Sequence, residues 1–280
     1  MNIQIDQIQQ DIERAVRIAL EEDIGSGDIT AQLIPQDKTD TAEIITREDC
    51  VICGTAWVDE TFKQMGNVTL EWHVKDGDTI SANTKLVTIK GNTRNILTGE
   101  RTALNFLQLL SGTATKASEY RKLLGDSRIS ILDTRKTIPG LRTAQKYAVA
   151  IGGCDNHRIG LFDAFLIKEN HIAACGGVSQ AIQQARQVKP DVPVEIEVED
   201  IPQLKEALAA GADIIMLDNF SSTMLNTTSN IDKTHCKLEV SGNITQNAIP
   251  LLKNSNIDYI SIGALTKHAN AIDLSLRIRG

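Results

Sequence analysis

The sequence predicts an α/β protein in two parts: a small N-terminal domain built on an antiparallel sheet, then about six βα units that form a parallel sheet or barrel. Two patterns carry this reading. Between residues 42 and 89, the β-branched runs TAEIITRE, VTLEWHV and KLVTIK are punctuated by Gly54, Gly66, Gly77 and Gly91, as in an antiparallel sheet. From residue 129 onward, short apolar runs alternate with helical segments about six times, the rhythm of βα units. With 280 residues, 41% hydrophobic and 23% charged, the chain has the composition of a folded protein and the length for one large core or two moderate ones.

The elements follow in order. Ile5, Ile8, Ile12 and Val16 recur at helical spacing, which predicts an amphipathic helix over 5–20 that Gly25-Ser26-Gly27-Asp28 ends. Within the sheet region, VKDGDTISANTKLVTIKG resembles the hairpins of biotinyl and lipoyl carrier modules, but Lys85 and Lys90 fall in or beside strand patterns, so a scaffold sheet is expected. Residues 98–118 place Leu104, Leu107, Ser111 and Ala114 on one face of a helix that links the two parts. The strands of the second part are predicted at 129–133, 164–168, 194–198, 213–217, 237–240 and 259–262.

Bulk properties exclude several roles. Lys plus Arg number 29 against 36 Asp plus Glu, a net charge of −7 that gives no general attraction to nucleic acid or anionic membrane. The start MNIQIDQIQQDIERA lacks the basic opening and apolar core of a secretory signal, and no apolar run approaches ~18 residues. A cytoplasmic protein is expected. The five cysteines are dispersed, and Cys50 and Cys53 have the spacing of half a zinc site without a second pair to complete it, so no protein metal site is expected.

The chemistry gathers at the strand ends, where α/β barrels build their sites. The first strand runs into Asp133-Thr134-Arg135-Lys136-Thr137, and the glycine-rich turn that follows carries Asp155, Asn156, His157 and Arg158. Lys168 closes the second strand, Glu195, Glu197 and Glu199 share one face of the third, and Asp218-Asn219 ends the fourth. Small residues follow the last two, at Ser241-Gly242-Asn243 and at Gly263, where backbone N–H groups can approach a phosphate. Cations, then acids, then glycines describe phosphoribosyl pyrophosphate beside an acidic co-substrate. Three other readings use the same residues: a related transferase with another aromatic acid or base as acceptor, a Schiff-base aldolase working through Lys136 or Lys168, and a binding or regulatory protein without turnover.

Seven blocks, EEDIGSGDIT at 21–30, GERTALNFLQLLSGTAT at 99–115, DTRKTIPGLRTAQKYAV at 133–149, GGCDNHRIGLFDAFLIKENHI at 152–172, EIEVED at 195–200, MLDNF at 216–220 and EVSGNIT at 239–245, resemble the quinolinate phosphoribosyltransferases, also called carboxylating nicotinate-nucleotide pyrophosphorylases. The resemblance implies an incomplete α/β barrel of about six strands with an N-terminal α/β sandwich-like domain. Its bounds are 1–112 for the sandwich, 113–267 for the barrel, and 268–280 returning to the first domain. It implies transfer of phosphoribose from phosphoribosyl pyrophosphate to quinolinate with decarboxylation, giving nicotinate mononucleotide, pyrophosphate and carbon dioxide in de novo NAD biosynthesis. Magnesium would come bound mainly to phosphoribosyl pyrophosphate.

It further implies a homodimer, or an assembly of dimers, with shared sites. Arg135, His157, Arg158 and Lys168 would hold quinolinate together with Arg101 of the neighbouring subunit. Lys136 would stand between the dicarboxylate and the pyrophosphate. Glu197 and Asp218 would face the ribose hydroxyls and the magnesium shell. Ser241, Gly242, Asn243 and Gly263 would cradle the 5-phosphate, with Asn243 standing where many relatives carry a second glycine.

Overall fold

A computed structural model describes residues 2–229, 231–233, 235–242, 244–268 and 270–279, so the predicted phosphate-turn residue Asn243 lies outside the described residues. The chain forms two compact units, Met1–Glu119 with Thr137–Gly153 and Ala264–Gly280, and Tyr120–Lys136 with Cys154–Gly263.

In chain order the elements begin with α1 (Gln9–Ile24), β1 (Thr39–Thr46), β2 (Cys50–Val51), α2 (Thr55–Met65), β3 (Val68–Trp72), β4 (Thr79–Ile80), β5 (Lys85–Asn92) and α3 (Thr93–Leu124). There follow β6 (Ser130–Leu132), α4 (Arg142–Ile151), β7 (Phe165–Ile167), α5 (Glu169–Cys175), α6 (Val178–Val188), β8 (Val194–Val198), α7 (Ile201–Ala209) and β9 (Ile214–Asp218). The last are α8 (Ser222–Thr228), β10 (Lys237–Ser241), α9 (Ile249–Leu252), β11 (Tyr259–Ser261), α10 (Ala264–Lys267) and β12 (Leu274–Arg279).

The first unit holds a four-stranded antiparallel sheet in the order β12-β1-β5-β3. Period-two burial in β1 turns Ala42, Ile44 and Thr46 to one face, where Ile44 joins Leu86, Ile89, Phe62, Leu104 and Leu107 in the core. The first helix begins later than the spacing predicts, because Ile5–Gln7 form a 3-10 turn before α1. Its end falls at Gly25, whose φ of 51° lies in the left-handed region. Helix α2 was hidden in the sequence by the β-branched residues around it. Its Trp57, Val58, Thr61 and Phe62 are buried, and Asp76 Oδ1 accepts the Gly54 and Thr55 N–H groups, each at 3.1 Å, to satisfy the helix start.

Helix α3 is 32 residues long and carries the chain from the first unit into the second. At Gly112 the backbone of 270–271 approaches so closely that a Cβ would collide with the Asn270 carbonyl, and Ile272 N–H bonds Gln108 O at 3.1 Å. Segment Thr137–Gly153 groups with this unit by contacts, unlike the sequence bounds, which leave it with the barrel. Tyr147 Oη donates to Asp76 Oδ2 at 2.9 Å, and Gln145 Nε2 donates to Thr266 O at 3.0 Å.

The second unit is built on a six-stranded parallel sheet in the order β6-β11-β10-β9-β8-β7. Each predicted strand is present, with ends that differ by no more than one residue. Among the described residues no pairing joins β6 to β7, and a physical reason is visible. Asp155 N–H bonds Ile131 O at 2.8 Å and Asp133 N–H bonds Asp155 O at 3.1 Å, so the turn at 154–156 takes the β6 edge that a closing strand would need. The barrel is therefore open. Helices α6 and α7 pack on β8 and β9, covering the face that carries Ile196, Val198 and Ile215 and leaving Glu195 and Glu197 to the other.

Candidate active site

The carboxyl ends of the six strands bring the chemistry together inside the second unit. Asp133, fully buried at the end of β6, accepts the His157 N–H at 2.9 Å through Oδ1 and Asn156 Nδ2 at 2.8 Å through Oδ2. Thr134 Oγ1 accepts the Lys136 N–H at 3.0 Å and shapes the turn that presents Arg135 and Lys136. The Lys136 stem lies over Gly263, where a Cβ would come to 3.0 Å from its Cδ.

His157 points into a buried acidic pocket. Its Nε2 lies 2.9 Å from Glu195 Oε2 and 3.7 Å from Glu239 Oε1, and its Nδ1 accepts the Arg158 N–H at 2.8 Å. Glu195 and Glu239 are 2% and 0% exposed, and Ser261 Oγ donates to Glu239 Oε1 at 2.5 Å. Burial, reinforced by the nearby charge of Glu195, pushes the Glu239 carboxyl up to about 8. The ligating atoms of His157, Glu195 and Glu239 lie within 4.8 Å of one another, which also makes this the one His and carboxylate convergence able to hold a cation among the described residues.

Arg158 Nη1 donates to Ala164 O at 3.1 Å. Burial, and then the like charge of Arg135, hold the Arg158 guanidinium below its ordinary range, with Glu195 and Asp163 opposing. Arg135 Nε and Arg158 Nε are buried without a hydrogen-bond partner among the described residues. Two cations so placed, each with a donor unmatched among the described residues, are chemically suited to an anion.

Lys168 Nζ is ion-paired with Glu197 Oε2, a pairing that suits an ammonium rather than the free amine a Schiff base needs. Asp218 and Ser241 are Cα partners across β9 and β10, and Ser241 Oγ donates to Asp218 Oδ1 at 2.9 Å. Asn219, at φ 52°, donates to Asp218 Oδ2 at 2.7 Å. Gly242 has φ 94°, and a Cβ there would strike the Asn219 side chain. The turn after β10 therefore requires glycine.

Thus Arg135, Lys136, His157, Arg158, Lys168, Glu197, Asp218, Ser241, Gly242 and Gly263 all belong to the second unit. Arg101 does not: it is exposed on α3 in the first unit. Glu199 leaves the face it shares by alternation with Glu195 and Glu197, because β8 ends at Val198 and its N–H turns to Gln203 Oε1 at 3.0 Å. Residue reasoning placed Asp133, Asn156 and Asn219 at the strand ends without giving them a role, and missed Glu239 and Ser261 as site-building groups. An acid inside the apolar run KLEVS was a readable signal for Glu239.

An open α/β barrel whose strand ends offer buried cations, then hydrogen-bonded acids, then a glycine turn defines an enzyme for a ligand with several anionic groups. The family model for the quinolinate phosphoribosyl transferase C-terminal domain matches residues 113–277, and that for the N-terminal domain matches 28–111. A solved nicotinate-nucleotide pyrophosphorylase from Francisella tularensis is 48% identical, with 97% of each chain covered and a TM-score of 0.94. The probable nicotinate-nucleotide pyrophosphorylase (carboxylating) of Bacillus subtilis strain 168 is 42% identical over 259 residues, covering 92% of this chain and 90% of the relative. The chloroplastic enzyme of that name from Arabidopsis thaliana is 37% identical, covering 96% and 83%. The chain belongs to the quinolinate phosphoribosyl transferase family and is a phosphoribosyltransferase.

Proposed function

We propose that the chain transfers phosphoribose from phosphoribosyl pyrophosphate to the ring nitrogen of quinolinate, forming nicotinate mononucleotide, pyrophosphate and carbon dioxide in NAD biosynthesis. The observation that carries this is the guanidinium pair Arg135 and Arg158, half-buried, like-charged and with both Nε donors unmatched. Planar guanidinium forks match carboxylate oxygens in one plane, and two forks with Lys168 suit a dicarboxylate.

The acids and turns serve the second substrate. Glu197 and Asp218 accept ribose hydroxyls, Ser241, Gly242 and Gly263 hold the 5-phosphate, and Lys136 draws the pyrophosphate away. Both carboxylates already accept protein donors, from Lys168 in one case and from Ser241 and Asn219 in the other, so they fit the water shell of a magnesium ion better than its inner shell. Magnesium bound to the pyrophosphate supplies charge neutralisation to the leaving group. As the bond from ribose C1 to pyrophosphate breaks, the quinolinate nitrogen forms the new bond to C1, and Lys136 stabilises the departing charge. The carboxylate beside the now cationic nitrogen leaves as carbon dioxide. Its bonding electrons stay on the ring carbon, which takes a proton from water, while the other carboxylate remains on the guanidiniums.

We further infer a homodimer in which Arg101 of the partner subunit completes the quinolinate site. None of the five cysteines forms a disulfide among the described residues, which fits a reducing compartment such as the cytoplasm. No helix among the described residues is long and apolar enough to cross a membrane.

The test measures pyrophosphate and carbon dioxide release with magnesium and phosphoribosyl pyrophosphate, comparing quinolinate with nicotinate. Equimolar release with quinolinate and little turnover of nicotinate is expected. Turnover of nicotinate alone, or of neither acid by folded protein, overturns this acceptor assignment.

A further inference from the structure

His157 is expected from the resemblance to touch quinolinate, and its hydrogen bonds point to a second task for the ring. A backbone N–H can only donate, so the 2.8 Å bond from Arg158 N–H makes Nδ1 an acceptor without a proton. The ring proton then sits on Nε2, which faces Glu195 Oε2 at 2.9 Å and Oε1 at 3.2 Å. His157 is a neutral strut in this geometry, with one nitrogen on the acids inside the barrel and the other on the main chain of Arg158. The rest of the segment is pinned as well. Asp133 holds His157 N–H and the Asn156 side chain, and Ala164 O holds Arg158 Nη1.

We propose that Glu195, backed by Glu239, is a positioning residue for the acid-binding guanidinium of Arg158, acting through the neutral imidazole of His157. Glu195 fixes the ring by accepting Nε2–H. The fixed ring presents Nδ1 to Arg158 N–H, and the Arg158 fork is set by that bond at its backbone and by Ala164 O at its Nη1, leaving the buried Nε for the ligand. Glu239 stands behind with Oε1 3.7 Å from Nε2 and anchored by Ser261 at 2.5 Å, closing the other side of the ring's pocket. This rests on the assignment of Arg158 to quinolinate.

Two measurements test it. Long-range ¹⁵N–¹H correlation spectra of the wild-type protein should show the His157 ring, assigned by its loss in His157→Asn, carrying a proton on Nε2 alone near neutral pH. A doubly protonated ring, or a proton on Nδ1, overturns the proposal, and this readout needs no turnover. In steady-state kinetics Glu195→Ala should raise KM for quinolinate about tenfold or more, the scale of one lost charge-assisted hydrogen bond, with KM for phosphoribosyl pyrophosphate within about twofold. Glu195→Gln, whose amide oxygen still accepts Nε2–H, should recover most of that loss. Equal rises in both KM values, or a Gln variant as impaired as Ala while its thermal unfolding matches wild type, overturns it. If Glu195→Ala fails to fold, the spectra and the Gln variant decide. Wild-type protein that turns over another acid but shows the expected tautomer would instead separate an error in the acceptor from an error in the positioning role.

Discussion

Arg135 and Arg158 carry like charges, and among the described residues neither buried Nε donor has a hydrogen-bond partner, which is the arrangement proposed to receive an anion. Replacing Arg135 by Ala should weaken quinolinate binding on the order of a hundredfold, from the loss of charge-assisted bonds, with much less effect on phosphoribosyl pyrophosphate. Calorimetric titration of both ligands checks this, and equal losses would remove Arg135 from the acid site. Glu239 offers a test of stability at the same scale. Its pKa in the folded protein, about 8, lies above the ordinary carboxylate value of 4.5, so the protonated form is favoured by folding. The sign follows: its contribution is fully present below about 4.5 and is lost as pH rises through about 8. Urea unfolding across that range should show Glu239→Gln gaining stability relative to wild type as pH rises. A constant difference between the two would mean Glu239 does not carry the dependence.

At the scale of elements, strand ends were legible because parallel strands buried on both sides read as short apolar runs, and the residue just after each run had to be at the site. Glu195 and Glu197 were legible by alternation alone. What the local pattern hid were features set by distant chain: helix α2, whose start depends on Asp76 from a later turn, and the open barrel, whose free edge is taken by Asp155. Gly112 is another such feature, a glycine in a long helix that local propensity disfavours by about 1 kcal/mol relative to Ala. The Asn270 backbone explains it, since a carbonyl of the main chain cannot swing aside as a side chain can. Gly112→Ala should therefore destabilise the protein by on the order of 2 kcal/mol despite the better helix former, as overpacking does. Thermal unfolding settles it, because a rise in Tm would show that the C-terminal segment yields.

For the whole molecule, an overall charge of −7 makes a poor attractor for substrates that are polyanions, so binding must be local, and the cations at the ends of β6 and β7 are its proposed source. One cation of the expected set is absent from that group: Arg101 is exposed on α3, in the first unit, while its proposed companions belong to the second. Nothing in the residue pattern distinguished Arg101 from an ordinary surface arginine, and only the resemblance singled it out; a site shared between subunits, as proposed, would leave no periodic trace in one chain. The homodimer reading gives a sharp expectation. Arg101→Ala and Lys168→Ala should each be nearly inactive alone, since each removes a cation from every site. Mixed under conditions that let subunits exchange, a quarter of randomly reassorted sites receive both intact residues in a two-site dimer, because half the dimers are mixed and each mixed dimer has one whole site. Activity should therefore recover to roughly a quarter of wild type. Exchange is followed separately by mass spectrometry of differently labelled subunits. Confirmed exchange without recovery would place Arg101 and Lys168 in the same chain's site, or Arg101 in none.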